Sequence, residues 1–378
     1  MYFNWRGFLT DTRHALFTRR APELRITGRR ARALVMFYFC MAWMGGSGRL
    51  GLLLDRVLFP RAVRTPVREP VFIVGNFRSG STLLHRLLAA DPQFTAMKTW
   101  EIYFAPSISQ RKFWHGLWIV DGWFGSPIRR RILAQAKETF GQVRMHRVDL
   151  AEPEEDEGLL LYLWESLFNW FFMPRHAAEN PYWQFDRKVP RWRRRLIMRF
   201  YHDCLRRHLA AHPNTTYISK NPSFSAKLRS LLAEFPDARI VYLVRHPEDT
   251  LVSTAGWFSF AWHYFADPAE EYPFVGTIMR MVHDWYTEPL EVLEELPPER
   301  YRVVLYEDLV SSPRATVSAL LAHFGHPLSA PTHVQLEDLE AMPDPPRSHQ
   351  VRLANIGLDP NQVAEYYREV MERFGYEP

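Results

Sequence analysis

The stretch Val71–Ala90, reading VFIVGNFRSGSTLLHRLLAA, leaves this chain few structures to choose from. Val71, Phe72, Ile73 and Val74 form an apolar run without a polar break, the pattern of a strand buried on both faces of a parallel sheet. Gly75 opens a turn, and from Gly80 to Ala90 apolar residues return at helical spacing. Such a strand, glycine loop and helix cradle an anion. Glycine lets the backbone come close, and N–H groups without helical partners point at the ligand.

Against the nucleotide-binding pattern G-x-x-x-x-G-K-[ST], Gly75, Gly80 and Thr82 fit, while Ser81 stands where the lysine belongs. Positive charge returns three residues earlier, at Arg78. An ordinary nucleoside triphosphatase needs that lysine on the β- and γ-phosphates, so the shift favours a nucleotide carrying another transferable group. A tight turn with incidental glycines is the alternative.

A second block lies downstream. Thr216–Ser219 reads as a short strand ending at Lys220-Asn221-Pro222, and Ser223–Phe235 as a helix with Ser223 at its N-cap. Arg239–Val244 is another apolar strand, ended by Arg245 and His246, with Pro247 opening a helix that carries Ser253. Strand-helix-strand order with short connections implies a parallel sheet, whose ligands gather at the strand C-terminal ends. Arg78, Lys220 and Arg245 all fall at or just beyond such ends.

The remaining pattern adds a strand at Tyr301–Leu305 and helices at Gly276–Leu296, Pro313–Phe324 and Pro360–Phe374. Glu152–Phe172 reads as a helix with acids in its first turn, Glu154, Glu155, Asp156 and Glu157. Pro190–Ala211 reads as an amphipathic helix with a solvated basic face, and no nucleic-acid fold motif accompanies it. The fold class is therefore α/β: a P-loop-like parallel sheet flanked by helices, with an aromatic-rich helical cap at 107–211 and a basic N-terminal helical segment.

Arg78-Ser79-Gly80-Ser81-Thr82 resembles the 5′-phosphosulfate loop of sulfotransferases that use 3′-phosphoadenosine-5′-phosphosulfate (PAPS). Arg245 with Ser253, eight residues on, resembles that family's 3′-phosphate motif. The likeness runs from about Pro70 to Pro378 and takes in Tyr306-Glu307-Asp308-Leu309. It implies that Arg78, Ser79, Gly80, Ser81 and Thr82 hold the phosphosulfate and that Arg245 and Ser253 hold the 3′-phosphate. Arg352 resembles a cation near that phosphate, with Ser348 as a further contact. The reaction implied is sulfuryl transfer from PAPS to a hydroxyl or amine, without a metal, with Arg78 and Lys220 stabilising the departing phosphate.

The cytosolic branch of that family carries a basic histidine after the middle strand, where this chain has Lys220-Asn221-Pro222. It is thus more similar to the tyrosylprotein sulfotransferases and their bacterial relatives, which place a glutamate after the first helix. That makes Glu101 a candidate general base, with His85 and His246 as alternatives. Read from its neighbours alone, Glu101 is either a surface acid capping a helix or a carboxylate whose pKa the adjacent aromatics raise. Competing functions are a P-loop kinase or NTPase and a non-catalytic, membrane-docked nucleotide-binding protein.

Residues 1–65 lie outside the likeness, and 66–378 form the expected sulfotransferase domain. Residues 1–32 hold eight arginines against Asp11 and Glu23, a surplus of six in a chain whose net charge is +5. The apolar run Ala33–Met44 lies too far in for a signal peptide and is shorter than the roughly 20 residues of a span. A basic segment on the cytoplasmic leaflet or a helix packed on the domain remain. A PAPS enzyme is expected in the cytoplasm, where PAPS is made, with the inner face of a membrane as an alternative. Aromatic content of 15% points to a lipid-like or other apolar acceptor, with a sugar or peptide as alternatives. Cys40 and Cys204 make neither a disulfide framework nor a metal-ligand spacing, which suits a reducing compartment.

Overall fold

The computed structural model describes residues 2–17, 26–140, 150–172, 180–266, 272, 274–341 and 353–377. Its centre is a five-stranded sheet in the order β2-β3-β1-β4-β5. The strands are β1 (Val71–Gly75), β2 (Phe94–Thr95), β3 (Thr216–Lys220), β4 (Arg239–Val244) and β5 (Tyr301–Leu305). Every neighbouring pair is parallel.

Side chains alternate across β1 and β4. Phe72, Val74, Tyr242 and Val244 enter one core, while Val71, Ile73, Val241 and Leu243 enter the other. Both faces are covered, which is why these strands are apolar apart from Arg239 at the start of β4 and the Tyr242 hydroxyl. Each such side chain contributes about 1.5–3 kcal/mol by leaving water. The chain crosses β1 between β3 and β4, so the loops after β1, β3 and β4 open side by side at a topological switch point.

Two helices precede the sheet, α1 (Trp5–Phe17) and α2 (Gly28–Leu58). The inner face of α2 carries Leu34, Phe37, Met44 and Leu52 into the core, so the apolar run near its start belongs to a helix packed on the domain. Among the described residues no helix is long and apolar enough to cross a membrane. Gly80 leads into α3 (Ser81–Ala89), followed by α4 (Thr99–Phe104), α5 (Ile108–Trp123) and α6 (Pro127–Phe140).

Three expected helices differ. Glu152–Phe172 is not one helix but a 3₁₀ segment, Asp156–Leu163, that stops at Trp164 in the left-handed region, then a single turn at Asn169–Phe172. Its acids are drawn away from the helix start by distant partners: Asp156 accepts from Tyr217 and Asn221, and Glu157 from Leu167 N–H and Ser223. Ser223 is thereby taken from its expected capping role, and a 3₁₀ segment, Pro222–Lys227, precedes the α-helix Leu228–Glu234. The last helix breaks in two at the buried Tyr367, whose hydroxyl donates to Met279 O at 2.6 Å.

Asp55, fully buried on α2, ties the N-terminal helices to the rest. Its carboxylate accepts from the Ile108 and Ser109 N–H groups at the start of α5, both at 2.8 Å, and from Arg207 Nε at 3.0 Å. Removing it strands a buried guanidinium and two helix-end donors. Asp55→Ala is expected to cost about 3–5 kcal/mol in denaturant unfolding, the range for breaking one side of a buried ion pair. A loss below about 1 kcal/mol, as for an exposed pair, would show the anchor to be unimportant.

Candidate active site

The loop after β1 is shaped by its glycines. At Gly75 (φ 138°) a Cβ would lie 2.2 Å from the Leu243 carbonyl oxygen, and at Gly80 (φ 84°) 2.6 Å from the Tyr306 ring. Arg78 itself sits in the left-handed region at φ 66°, a strained setting for a side chain outside glycine, Asn and Asp. Ser225 pins the loop base, its hydroxyl accepting from Gly75 N–H at 2.9 Å and donating to Gly75 O at 2.8 Å.

The structure brings most of the expected residues together. Arg78 Nε donates to Ser253 Oγ at 3.0 Å, and Arg245 Nη1 donates to Arg78 O at 3.0 Å. The Arg245 guanidinium lies 4.4 Å from the centroid of the Tyr306 ring and pairs with Asp249 at 2.8 Å. Lys220 Nζ reaches Thr82 Oγ1 at 3.4 Å, linking the end of β3 to the first turn of α3. Burial, then the nearby Arg245, lowers the Arg78 pKa. Crowded cations at a helix N-terminus call for an anion. Ser79 Oγ and Arg245 Nε are buried with no hydrogen-bond partner among the described residues, as a site that completes its bonds with a ligand leaves them. These features fit a doubly phosphorylated nucleotide. Arg352 and Ser348 lie outside the described residues.

Two acids at this site were not among the expected functional residues. Glu155 lies 2.8 Å and Glu154 3.3 Å from Lys220 Nζ, itself 1% exposed. Burial works against the lysine's charge, but Glu155 and then Glu154 outweigh it and hold the pKa above the usual value. The run EEDE thus divides. Glu154 and Glu155 face the site cation, while Asp156 and Glu157 turn into the core, where Glu157 pairs with Lys227 at 2.5 Å. A cluster of acids in a chain with surplus cations was the available signal, and its first reading as a helix start concealed it.

Glu101 is held by a different set of partners. Among the described residues its carboxylate accepts from Lys98 N–H at 2.9 Å and sits 3.4 Å from both Arg111 Nε and His208 Nδ1. Burial would raise its pKa, but His208 and then Arg111 outweigh that and bring it to about 2. The capping role expected of this acid is present, but the residue is buried and not at the surface, and its pKa is not raised. His85 lies on the buried face of α3, where desolvation and then Lys220 push its pKa down to about 3. His246 faces Tyr376, with ring centroids 5.1 Å apart. A cavity of about 420 Å³ lined by Glu69, Asp237 and Arg239 opens at the opposite strand ends and contains none of these groups.

A family model described as "Sulfotransferase family" matches residues 70–330. Over 352 residues the chain is 26% identical to the omega-hydroxy-beta-dihydromenaquinone-9 sulfotransferase Stf3 of Mycobacterium bovis and of Mycobacterium tuberculosis, covering 87% of this chain and 81% of the relative. Its fold is similar to that of sulfotransferase STF9 from Mycobacterium avium, with TM-score 0.77 and 18% identity over 98% of this chain and 91% of that one. It is also similar to sulfotransferase STF1 from Mycobacterium tuberculosis, with TM-score 0.70 and 21% identity over 97% and 92%. The matched span contains the glycine loop, Lys220, Arg245 and both acids. With the cradle and its cations in place, the chain belongs to the sulfotransferase family and is an enzyme of that class.

Proposed function

We propose that the chain transfers the sulfuryl group of PAPS to a hydroxyl of a lipid-like acceptor. The contact of Lys220 with Thr82 on one side and Glu155 on the other carries this reading, since it sets a cation and a base beside the cradle. When bound, PAPS supplies an activated sulfuryl group on a phosphate leaving group. Arg78, Ser79, Gly80, Ser81 and Thr82 are assigned to the phosphosulfate. Arg245 and Ser253 are assigned to the 3′-phosphate. Glu155 takes the acceptor hydroxyl proton as that oxygen bonds to sulfur. The electron pair of the breaking S–O bond stays on phosphate, where Lys220, Arg78 and the start of α3 stabilise it. Glu155 is assigned as base in preference to Glu101 because it lies against Lys220 at the cradle, whereas the Glu101 carboxylate is taken up by Arg111, His208 and the Lys98 N–H.

The relative named for a menaquinone derivative supports a lipid-like acceptor, as does the abundance of aromatic residues. Residues 1–60 are assigned a peripheral contact with a membrane, at its cytoplasmic face. The region 107–211 serves as the cap over the acceptor side, and no metal is assigned a role. The kinase reading is disfavoured because Ser81 replaces the phosphate-binding lysine.

Labelled sulfate from PAPS is expected to enter the lipid fraction of a host extract; label confined to sugars or peptides would contradict the acceptor class. Arg78→Ala is expected to lower transfer by about 10²–10³-fold or more while the melting curve stays cooperative. Wild-type turnover in that variant would refute the assignment. Glu155→Gln is expected to lower kcat by about 10²–10⁴-fold, whereas Glu101→Gln leaves kcat near wild type and lowers stability instead. The folded pKa of Glu101 lies below the usual 4.5, so its contribution is complete above 4.5 and fades as pH falls toward 2. Acid titrations of unfolding should show that fading in the wild type and not in Glu101→Gln. The reverse pattern, with kcat lost only in Glu101→Gln, would return the base to Glu101.

A further inference from the structure

Among the described residues nothing covers the outer face of α2. Val35, Phe39, Trp43, Leu50, Leu54 and Val57 all project from it and are 41–78% exposed. Their spacing repeats with the helix turn, so they form one stripe about 33 Å long. Isolated exposed apolar residues are ordinary in a soluble protein, but a continuous stripe marks a surface that something covers.

A second helix adjoins it. Gln110 on α5 donates to Ser47 on α2 at 3.3 Å, Asp55 of α2 binds the start of α5, and Lys112 lies 5.6 Å from the Phe59 ring centroid. From α5 and the turn after it, Phe113, Val120, Trp123 and Phe124 are exposed, the last two to 76% each. The turn is fixed rather than loose: Asp121, buried to 3%, accepts from the Ile128 and Arg129 N–H groups at 2.9 Å each. Arg129, Arg130 and Arg131 then follow, all exposed.

Charge decides the occupant. Asp55 is the only acid between residues 26 and 68, and Asp121 the only one between 102 and 137, and both are buried. Exposed cations remain, among them Arg32, Arg56, Arg61, Arg64 and Lys112. A second copy applied face to face would set cations against cations. An anionic bilayer instead takes the apolar stripe into its interface and the arginines onto its headgroups. The stripe cannot span, because the inner face of the same helix carries Arg30, Arg49 and Asp55.

We infer that α2, α5 and the start of α6 form a two-helix docking platform for an anionic lipid bilayer. This rests on the lipid-like acceptor proposed above and adds the α5–α6 element to the membrane contact of residues 1–60. The platform adjoins the site: Arg49 of α2 donates to Tyr162 O at 3.4 Å, and Gly48 backs onto the Tyr162 ring, on the segment that follows Glu154 and Glu155. Docking through α2 sets the acid-bearing segment next to the bilayer in which an apolar acceptor dissolves.

The test is sedimentation of the full chain with vesicles of phosphatidylcholine, alone or mixed with phosphatidylglycerol. The wild type is expected to bind the mixed vesicles about tenfold or more better than the neutral ones, and less as salt rises. Trp123→Asp with Phe124→Asp, both on the surface, is expected to lose about tenfold or more of that binding, as is Arg129→Glu with Arg130→Glu. Calorimetric binding of 3′-phosphoadenosine 5′-phosphate should be unchanged in both variants, which shows that they fold. Equal vesicle binding by wild type and variants, or none by the wild type, overturns the platform. So does self-association in the ultracentrifuge that these substitutions abolish. Vesicle binding without transfer from PAPS would leave the platform standing and remove the proposed activity; transfer without vesicle binding would do the reverse.

Discussion

Two guanidiniums and an ammonium gathered at the ends of three adjacent parallel strands are the feature on which this molecule turns. Arg78 and Arg245 meet across one hydrogen bond, and Lys220 stands at the first turn of α3. Like charges held this close, with a helix N-terminus adding its own positive end, are unfavourable by themselves. Asp249, Glu154 and Glu155 offset part of that cost, and the proposed nucleotide would offset more. The topology makes the gathering possible. Because β1 lies between β3 and β4, a residue just past each strand end reaches its neighbours without distortion of the sheet.

The acidic run at the start of the 3₁₀ segment is fixed from behind, as the cations are fixed by the strand ends. Asp156 and Glu157 are held by Tyr201, Tyr217, Asn221, Ser223 and Lys227, groups from β3, the segment after it and the helix Arg191–Leu209. Burial raises the pKa of Asp156 to about 6 despite those bonds, so this anchor is itself sensitive to protonation. Beyond the two inward acids, Glu154 and Glu155 lie against Lys220. A positioned carboxylate beside a positioned ammonium follows from packing behind them.

Most of the sheet was legible because its central strands carry apolar runs, Val71–Val74 and Ile240–Val244, and the cations after them follow from topology; the two-residue edge strand Phe94–Thr95 is too short to leave such a pattern. The segments around Glu157 and Ser223 were not, since two residues far apart in sequence satisfy each other and give up helix start and cap together. The surroundings of Glu101 were hidden for a related reason: its carboxylate is held by Arg111 and His208, which no local pattern announces. The apolar run near residue 40 proved to have two faces, one packed and one exposed, a division visible only once α2 is seen against its neighbours.

Whether the cradle holds a 3′,5′-phosphorylated adenosine is most directly measured by calorimetric titration with 3′-phosphoadenosine 5′-phosphate in the absence of divalent cations. The account predicts saturable binding that weakens about tenfold or more in Arg245→Ala and by a similar factor when adenosine 5′-phosphate, which lacks the 3′ group, replaces the ligand. Equal affinity for the two nucleotides, or binding that appears only with magnesium, would contradict it.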